Sequence, residues 1–308
     1  MFSHLVRRLG LMVFTVWGTL SLTFVILRLA PGDQATVQLG PDAAAAEVEA
    51  LREQLGLNRS VFVQYLSYLR DAVTGDFGES YRFHESAMTV ILDRFPATLL
   101  LTVTATALAL LLGPLLGVLA GRAPGGMADR AISGVTLVMQ ALPSFWSGIM
   151  LILLMALTLR LLPSAGSGDV KHLVLPAVTL AIPFIALVAR ITRSSVAEVT
   201  SEPYILTARS KGLSERAVLA RHAVRNSVIP VISIVSLHIG TLMGGAVIVE
   251  QVFAWQGVGS LLVNAVGNRD YAIVQGATVL IAIIVVALNL LSDVINARLD
   301  PRIRAAAS

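Results

Sequence analysis

The feature that most restricts this chain is a stretch from Leu9 to about Leu29 in which Arg28 is the only charged residue. About twenty residues of helix cross a hydrocarbon core of ~30 Å, so the stretch reads as a membrane span. A cleaved signal peptide is the competing reading. Its apolar part would be shorter and would end in small residues at a cleavage site, whereas this one ends in Arg28 and Pro31-Gly32-Asp33, so a retained first span is expected. Comparable runs recur down the chain. Composition agrees: 56% of the 308 residues are hydrophobic and 14% charged, with a mean hydropathy of +0.78, against about 25% charge in a soluble domain. The fold class expected is an all-α integral membrane protein with about six transmembrane helices and a small extracytoplasmic helical segment after the first.

Taken in order, residues 1–30 form an N-terminal cytoplasmic stub and the first span. Residues 31–96 are polar and acidic, with ten Asp or Glu against five Arg between Asp33 and Arg94. Asp42 is expected to cap a helix from Ala43 to Leu55 that Gly56 ends. Ser60 starts another, with Phe62, Tyr65, Leu66 and Leu69 on one face, before Gly75-Asp76-Phe77-Gly78 breaks the pattern. Residues 97–298 hold the remaining spans. Ala97 to Gly121 is a span interrupted at Gly113-Pro114, and Arg122 to Arg130 a short basic turn. Ala131 to Leu159 holds Gln140 and Pro143 and is expected to be tilted or broken. Leu173 to about Thr192 contains Pro176 and Pro183. Val228 to about Phe253 and Ile273 to about Ile295 follow, then a cytoplasmic tail at 299–308. Six spans result.

Basic residues give the orientation, because Lys and Arg gather in cytoplasmic loops. Six spans place both termini and two loops on one side, with Arg7, Arg8, Arg122, Arg130, Arg209, Lys211, Arg216, Arg221, Arg225, Arg298, Arg302 and Arg304. That side is expected to be the cytoplasm, with the acidic segment 31–96 opposite. A sequence pI near 9.8 is explained by this topology, and nucleic acid is not an expected partner. The chain has no cysteine, which removes thiolate metal sites and thiol nucleophiles.

The only long polar, basic stretch in the second half is Glu202 to Pro230, within a loop expected at 194–228. Ser201 is a candidate N-cap for a short helix opening at Glu202-Pro203. Gly212 ends that helix, and Ser214 with Glu215 opens a second one running to about Asn226. Neither is long enough to be stable alone. The stretch resembles the cytoplasmic EAA loop of ABC importer permeases, most closely that of the dipeptide and oligopeptide branch. The matching positions are Glu202, Tyr204, Thr207, Ala208, Arg209, Lys211, Gly212, Leu213, His222, Arg225, Asn226, Ile229 and Pro230. Two positions depart from the general motif: Leu206 stands where it has a glutamate, and Val224-Arg225 replaces its Leu-Pro. Phrases in the acidic segment, LREQLGLNRS, GDFGES and RFPATL, and the stretch Thr241 to Gly259 resemble the same permeases.

The resemblance implies the type I permease fold of ABC importers in a bacterial cytoplasmic (inner) membrane. It also implies two short coupling helices around Gly212 that dock on an ATP-hydrolysing subunit. The implied partners are a second homologous permease, two ABC ATPase subunits that hold ATP and Mg, an extracytoplasmic solute-binding protein, and the lipid bilayer. No cofactor is expected on this chain. Dipeptides or oligopeptides are the implied substrate, with nickel, glutathione or another small solute as the alternative. The acidic segment either meets the binding protein or merely packs on the ends of the spans.

Further candidates lie near the fifth span. Gly240 and Gly244 form a small-xxx-small pair suited to close backbone approach, with Gly245 beside them. His238 could bond a passing peptide group or, more simply, a neighbouring helix. Glu250 falls at the outer end of the span, where capping or pairing is the simpler role. Asn289 and Asp293 stand one turn apart in the last span. The sequence lacks G-x-x-x-x-G-K-[ST], H-E-x-x-H and G-x-S-x-G, so no ATP cradle, metal site or hydrolase elbow is expected. The spans also lack the ionisable chains of a self-powered secondary carrier, the rival reading.

Overall fold

The computed structural model describes residues 2–29, 34–40, 42–214 and 225–299. Helices dominate, in the order Phe2–Leu29, Gln34–Leu39, Ala45–Gln54, Val61–Thr74, Ala87–Gly121, Met127–Ala141, Ser144–Leu151, Val170–Thr200, Pro203–Ser210, Arg225–Val252, Val258–Asn268 and Tyr271–Leu299. Among the described residues five helices are long and apolar enough to cross a membrane, and a bent pair makes six. The chain divides into two compact units, 1–98 with 256–286 and 99–255 with 287–308. The expected segment 31–96 falls within the first of these.

The first unit is built around an aromatic cluster. Phe24 of the first span stacks on Tyr68 at 5.7 Å between ring centroids and tilts against Tyr65 at 5.3 Å, while the Ser21 and Tyr65 hydroxyls lie 2.6 Å apart. Val61–Thr74 forms as its ends predict: Ser60 Oγ accepts the Val63 N–H, and Gly75 closes the helix at φ 75°. Its buried face differs from the expected one. Tyr65, Tyr68 and Leu69 pack inward, whereas Phe62 and Leu66 are exposed, because the contact follows the spacing of the aromatic pair rather than of every apolar residue. Asp42 does not cap its helix either; Ala45–Gln54 starts after Ala44 without a side-chain cap. A two-stranded hairpin pairs Glu79 with Ser86 and Ser80 with Glu85. Ser80 Oγ donates to the buried Asp270 carboxylate and the Tyr81 hydroxyl to the Asn268 carbonyl. These bonds fasten the hairpin to the turn before the last span. Burial, followed by the nearby Asp270 charge, raises the pKa of the Tyr81 hydroxyl, so it stays a donor.

In the second unit Val170–Thr200 is the central helix, with 61% of its apolar window buried. Asp169 caps it, accepting the Lys171 and His172 N–H groups at 3.0 and 3.2 Å. The helix tolerates Pro176 and Pro183, as buried helices do when neighbours re-satisfy the freed backbone. The break expected at Gly113-Pro114 is absent, since Ala87–Gly121 is one continuous helix that begins well before Ala97. Its glycines serve contact instead. A Cβ on Gly117 would lie 2.4 Å from Thr192 Cβ and 2.6 Å from the Ala189 carbonyl, and Gly113 and Gly121 abut Val188 and Val196 in the same way. Glycine every fourth residue thus lets two backbones touch along two turns. The span with Pro143 is broken rather than tilted: Met127–Ala141 and Ser144–Thr158 meet at 106°. Proline drives the residue before it out of the helical region, and Leu142 accordingly sits at φ −78°, ψ 128°.

Candidate coupling loop and its support

Beyond Val170–Thr200 the chain makes a short turn and enters the helix Pro203–Ser210. Ser201 ends the long helix rather than capping the short one: its backbone N–H bonds the Glu198 carbonyl at 3.1 Å, and its hydroxyl donates to the Ala197 carbonyl at 2.9 Å. Proline still opens the short helix, where a missing N–H costs nothing. Ile205 is completely buried and packs with Val199 of the parent helix and with Leu213. Gly212 makes that packing possible. It stands at φ +81° with nothing within 4 Å of a Cβ position, the left-handed geometry that turns Leu213 back onto Ile205.

With Ile205 facing inward, Tyr204 and Thr207 are left outside, together with Glu202, Lys211 and Gly212 around the helix ends. Ala208 and Arg209 lie within the same helix. His222 and most of the second expected helix lie outside the described residues. Arg225 and Asn226 open the helix Arg225–Val252, with Pro230 inside it. Their backbone is helical and runs on into the following span. What the loop presents is a short helix with an exposed polar side, whose buried Ile205 packs on Val199 of the parent helix.

A support absent from the sequence reading lies just before the loop. Arg193 Nε and Nη2 donate to the two carboxylate oxygens of Asp129 at 2.7 and 2.8 Å. The Gly125 N–H and the Ser133 hydroxyl also donate to Asp129, at 2.8 and 3.2 Å. The Asp129 side chain is 4% exposed and that of Arg193 35%. This is the bidentate geometry in which an arginine holds a carboxylate most strongly. It joins the 122–126 turn to the helix that carries the loop. One signal could have found it: Asp129 is the only acidic residue between Asp93 and Asp169, in an otherwise basic connection.

The remaining candidates are not gathered into one site. The His238 ring stacks beside Phe184 at 6.5 Å, and its Nδ1 lies 3.1 Å from the Ile234 carbonyl, so its hydrogen bond stays within its own helix. Gly244 has nothing within 4 Å of a Cβ position, whereas Gly245 abuts Leu180 at 3.3 Å and Gly240 is buried. Of the expected pair, Gly244 has open space around it within this chain, and the shortest helix-to-helix approaches at glycine in this unit, among the described residues, are at Gly113, Gly117 and Gly121. Glu250 is fully buried at the end of its helix, where its carbonyl accepts the Trp255 N–H at 2.8 Å. Asn289 is exposed and Asp293 half-buried.

Comparison with known proteins shows the family and the fold. Residues 113–305 match the family model of the binding-protein-dependent transport system inner membrane component, and residues 1–102 match the N-terminal model of the same membrane components. The di/tripeptide transport system permease protein DppB of Pseudomonas aeruginosa is 36% identical over 99% of both chains. The oligopeptide transport system permease protein AppB of Bacillus subtilis is 38% identical over 98% of this chain and 99% of that protein. The glutathione transport system permease protein GsiC of Escherichia coli K12 is 37% identical over 99% of both. Among solved structures, the inward-facing MetNI methionine ABC transporter aligns with a TM-score of 0.58 at 18% identity, over 69% of this chain and 97% of that one. An amino acid ABC transporter aligns at 0.54, over 68% and 94%. The fold is that of ABC importer permeases, and the chain belongs to the family of binding-protein-dependent transport system inner membrane components, as a multi-pass membrane subunit.

Proposed function

We propose that the chain is the permease subunit of an ATP-driven peptide importer, contributing half of a pathway for dipeptides or oligopeptides. The observation that carries this reading is end-to-end similarity, at 36 and 38% identity, to two permeases named for peptide transport. A second homologous permease supplies the other half. Two ABC ATPase subunits bind ATP and Mg and dock against the exposed side of Pro203–Ser210, through Glu202, Tyr204, Thr207, Lys211 and Gly212 with Ala208 and Arg209. A binding protein delivers solute from outside. Both termini and the loop lie in the cytoplasm, on the strength of the arginine distribution. ATP binding by the partners draws the loops together and turns the pathway outward; hydrolysis resets it.

This subunit takes no nucleotide of its own, since its sequence has no phosphate loop. Glutathione is the second reading, favoured by 37% identity to a glutathione permease over 99% of both chains. It is chemically close, being itself a tripeptide. Deleting the gene and measuring uptake of labelled dipeptide, oligopeptide and glutathione separates the readings. Loss of one class with the others intact names the substrate. Unchanged uptake of all three overturns the peptide assignment.

A further inference from the structure

Arg190 stands one turn before Arg193 on Val170–Thr200, and no carboxylate among the described residues pairs with it. Arg193 is neutralised by Asp129, whereas Arg190 has no ionic or hydrogen-bond partner among the described residues, and neither has Gln140 across from it. Both line a cavity of about 290 Å³, together with Ser133, Thr136 and the Asp129-paired Arg193. The described residues lining this cavity include no Asp or Glu. Its remaining wall is apolar, including Ile132 and a Leu137 that is 67% exposed. The pocket thus has a cationic, hydrogen-bonding end and an oily side open to the surroundings.

The position of Arg190 along its helix says what those surroundings are. Leu173 to Ala189 carries no charge, and at ~1.5 Å per residue it covers about 25 Å, close to the ~30 Å hydrocarbon thickness. Arg190 therefore falls where acyl chains give way to phosphates. An unpaired arginine deeper in hydrocarbon would be costly. At this depth the group that matches a guanidinium is a phosphate diester, and basic pockets between membrane helices on the cytoplasmic side are where anionic headgroups bind.

We infer that Arg190 and Gln140 form a binding site for the headgroup of an anionic phospholipid, whose acyl chain lies along Ile132 and Leu137. Arg190 donates to the phosphate oxygens, and the Gln140 amide and Thr136 hydroxyl face the glycerol portion. A lipid seated here braces Met127–Ala141 against Val170–Thr200 one turn from the Asp129–Arg193 pair. The inference rests on the assignment of the spans and not on the identity of the solute.

The test uses the complete importer, purified with its own ATPase and second permease. Native mass spectrometry after equilibration with phosphatidylglycerol or phosphatidylcholine should show preferential retention of phosphatidylglycerol. Arg190→Gln should lower that retention about fivefold, the factor that one basic residue contributes near a membrane surface, and Arg190→Lys should keep most of it. Leu137→Trp, which fills the oily side while leaving the cation in place, should lower retention too and guards against misfolding of the arginine variant. Equal retention of the two lipids, or retention unchanged in both Arg190→Gln and Leu137→Trp, overturns the site. If Arg190→Gln instead releases the second permease with lipid retention unchanged, the arginine pairs with a partner's carboxylate and the inference fails. Loss of peptide uptake plays no part in these readouts, so they stand or fall apart from the substrate assignment.

Discussion

Gly212 holds a conformation that costs another residue roughly 1–2 kcal/mol, and its φ of +81° brings Leu213 back to Ile205. Gly212→Asp should therefore leave the spans inserted at near-normal abundance but reduce ATPase co-purification and transport-linked hydrolysis. Ser194→Asp, on an exposed position of the parent helix, should be milder. Normal co-purification and normal uptake in the Gly212 variant would remove this loop from coupling. The Asp129–Arg193 pair predicts an asymmetry. Removing Arg193 strands a carboxylate that is 4% exposed, whereas removing Asp129 leaves a guanidinium that is 35% exposed and can reach water. Breaking a buried pair costs roughly 3–5 kcal/mol, so Arg193→Gln should approach that loss and Asp129→Asn should fall well short of it, read as thermal stability of the purified complex. Equal losses would mean that the carboxylate does not depend on this arginine.

Two helices can touch along Gly113, Gly117 and Gly121 only because those positions have no side chain. Gly117→Val would push a methyl-bearing carbon into the Ala189 carbonyl, which is backbone and cannot rotate away. Overpacking of this kind typically costs about 1–3 kcal/mol, and displacement of a whole helix lies at the upper end. The variant should accumulate poorly and become protease-sensitive. Gly244→Ala is the contrast, because open space surrounds it within this chain; its abundance should be normal. The bent pair belongs to the same scale. Leu142 and Pro143 separate Met127–Ala141 from Ser144–Thr158, and Pro143→Ala should lessen the 106° bend, measured as a longer distance between spin labels on the two arms. An unchanged distance would assign the bend to packing instead.

At the scale of the whole molecule the arginine distribution predicts sidedness, and the absence of native cysteine makes it measurable. Cysteine at Ser60, which is exposed, should react with an impermeant thiol reagent in spheroplasts, and cysteine at Ser214 only after the membrane is opened. Labelling of both from outside would reverse the orientation. Purified without partners, the subunit should neither hydrolyse ATP nor accumulate peptide. Uphill uptake by the lone chain in proteoliposomes under a proton or sodium gradient would favour a secondary carrier.

Much of the span pattern was legible because burial in lipid selects composition directly: a run such as Leu173 to Ala189 is apolar whatever it packs against. The Gly212 turn and the Ser60 and Gly75 helix ends were legible because capping is decided within a few residues. Phe62 and Leu66 were misplaced because periodicity says which residues share a face, not whether a partner covers it. Gly113 and Pro114 read as a break because local propensity ignores the helix beside them, and Ser201 read as a cap because its hydroxyl had an equally good acceptor one turn back. The Asp129–Arg193 pair joins residues 64 apart, and no local rule links them. Sequence determined the solvent, the number of spans and the turns, since each depends on neighbouring residues and on water or lipid. Tertiary structure decided which glycines carry contact, which aromatics are buried and which charges meet, since those depend on distances that only the folded chain defines.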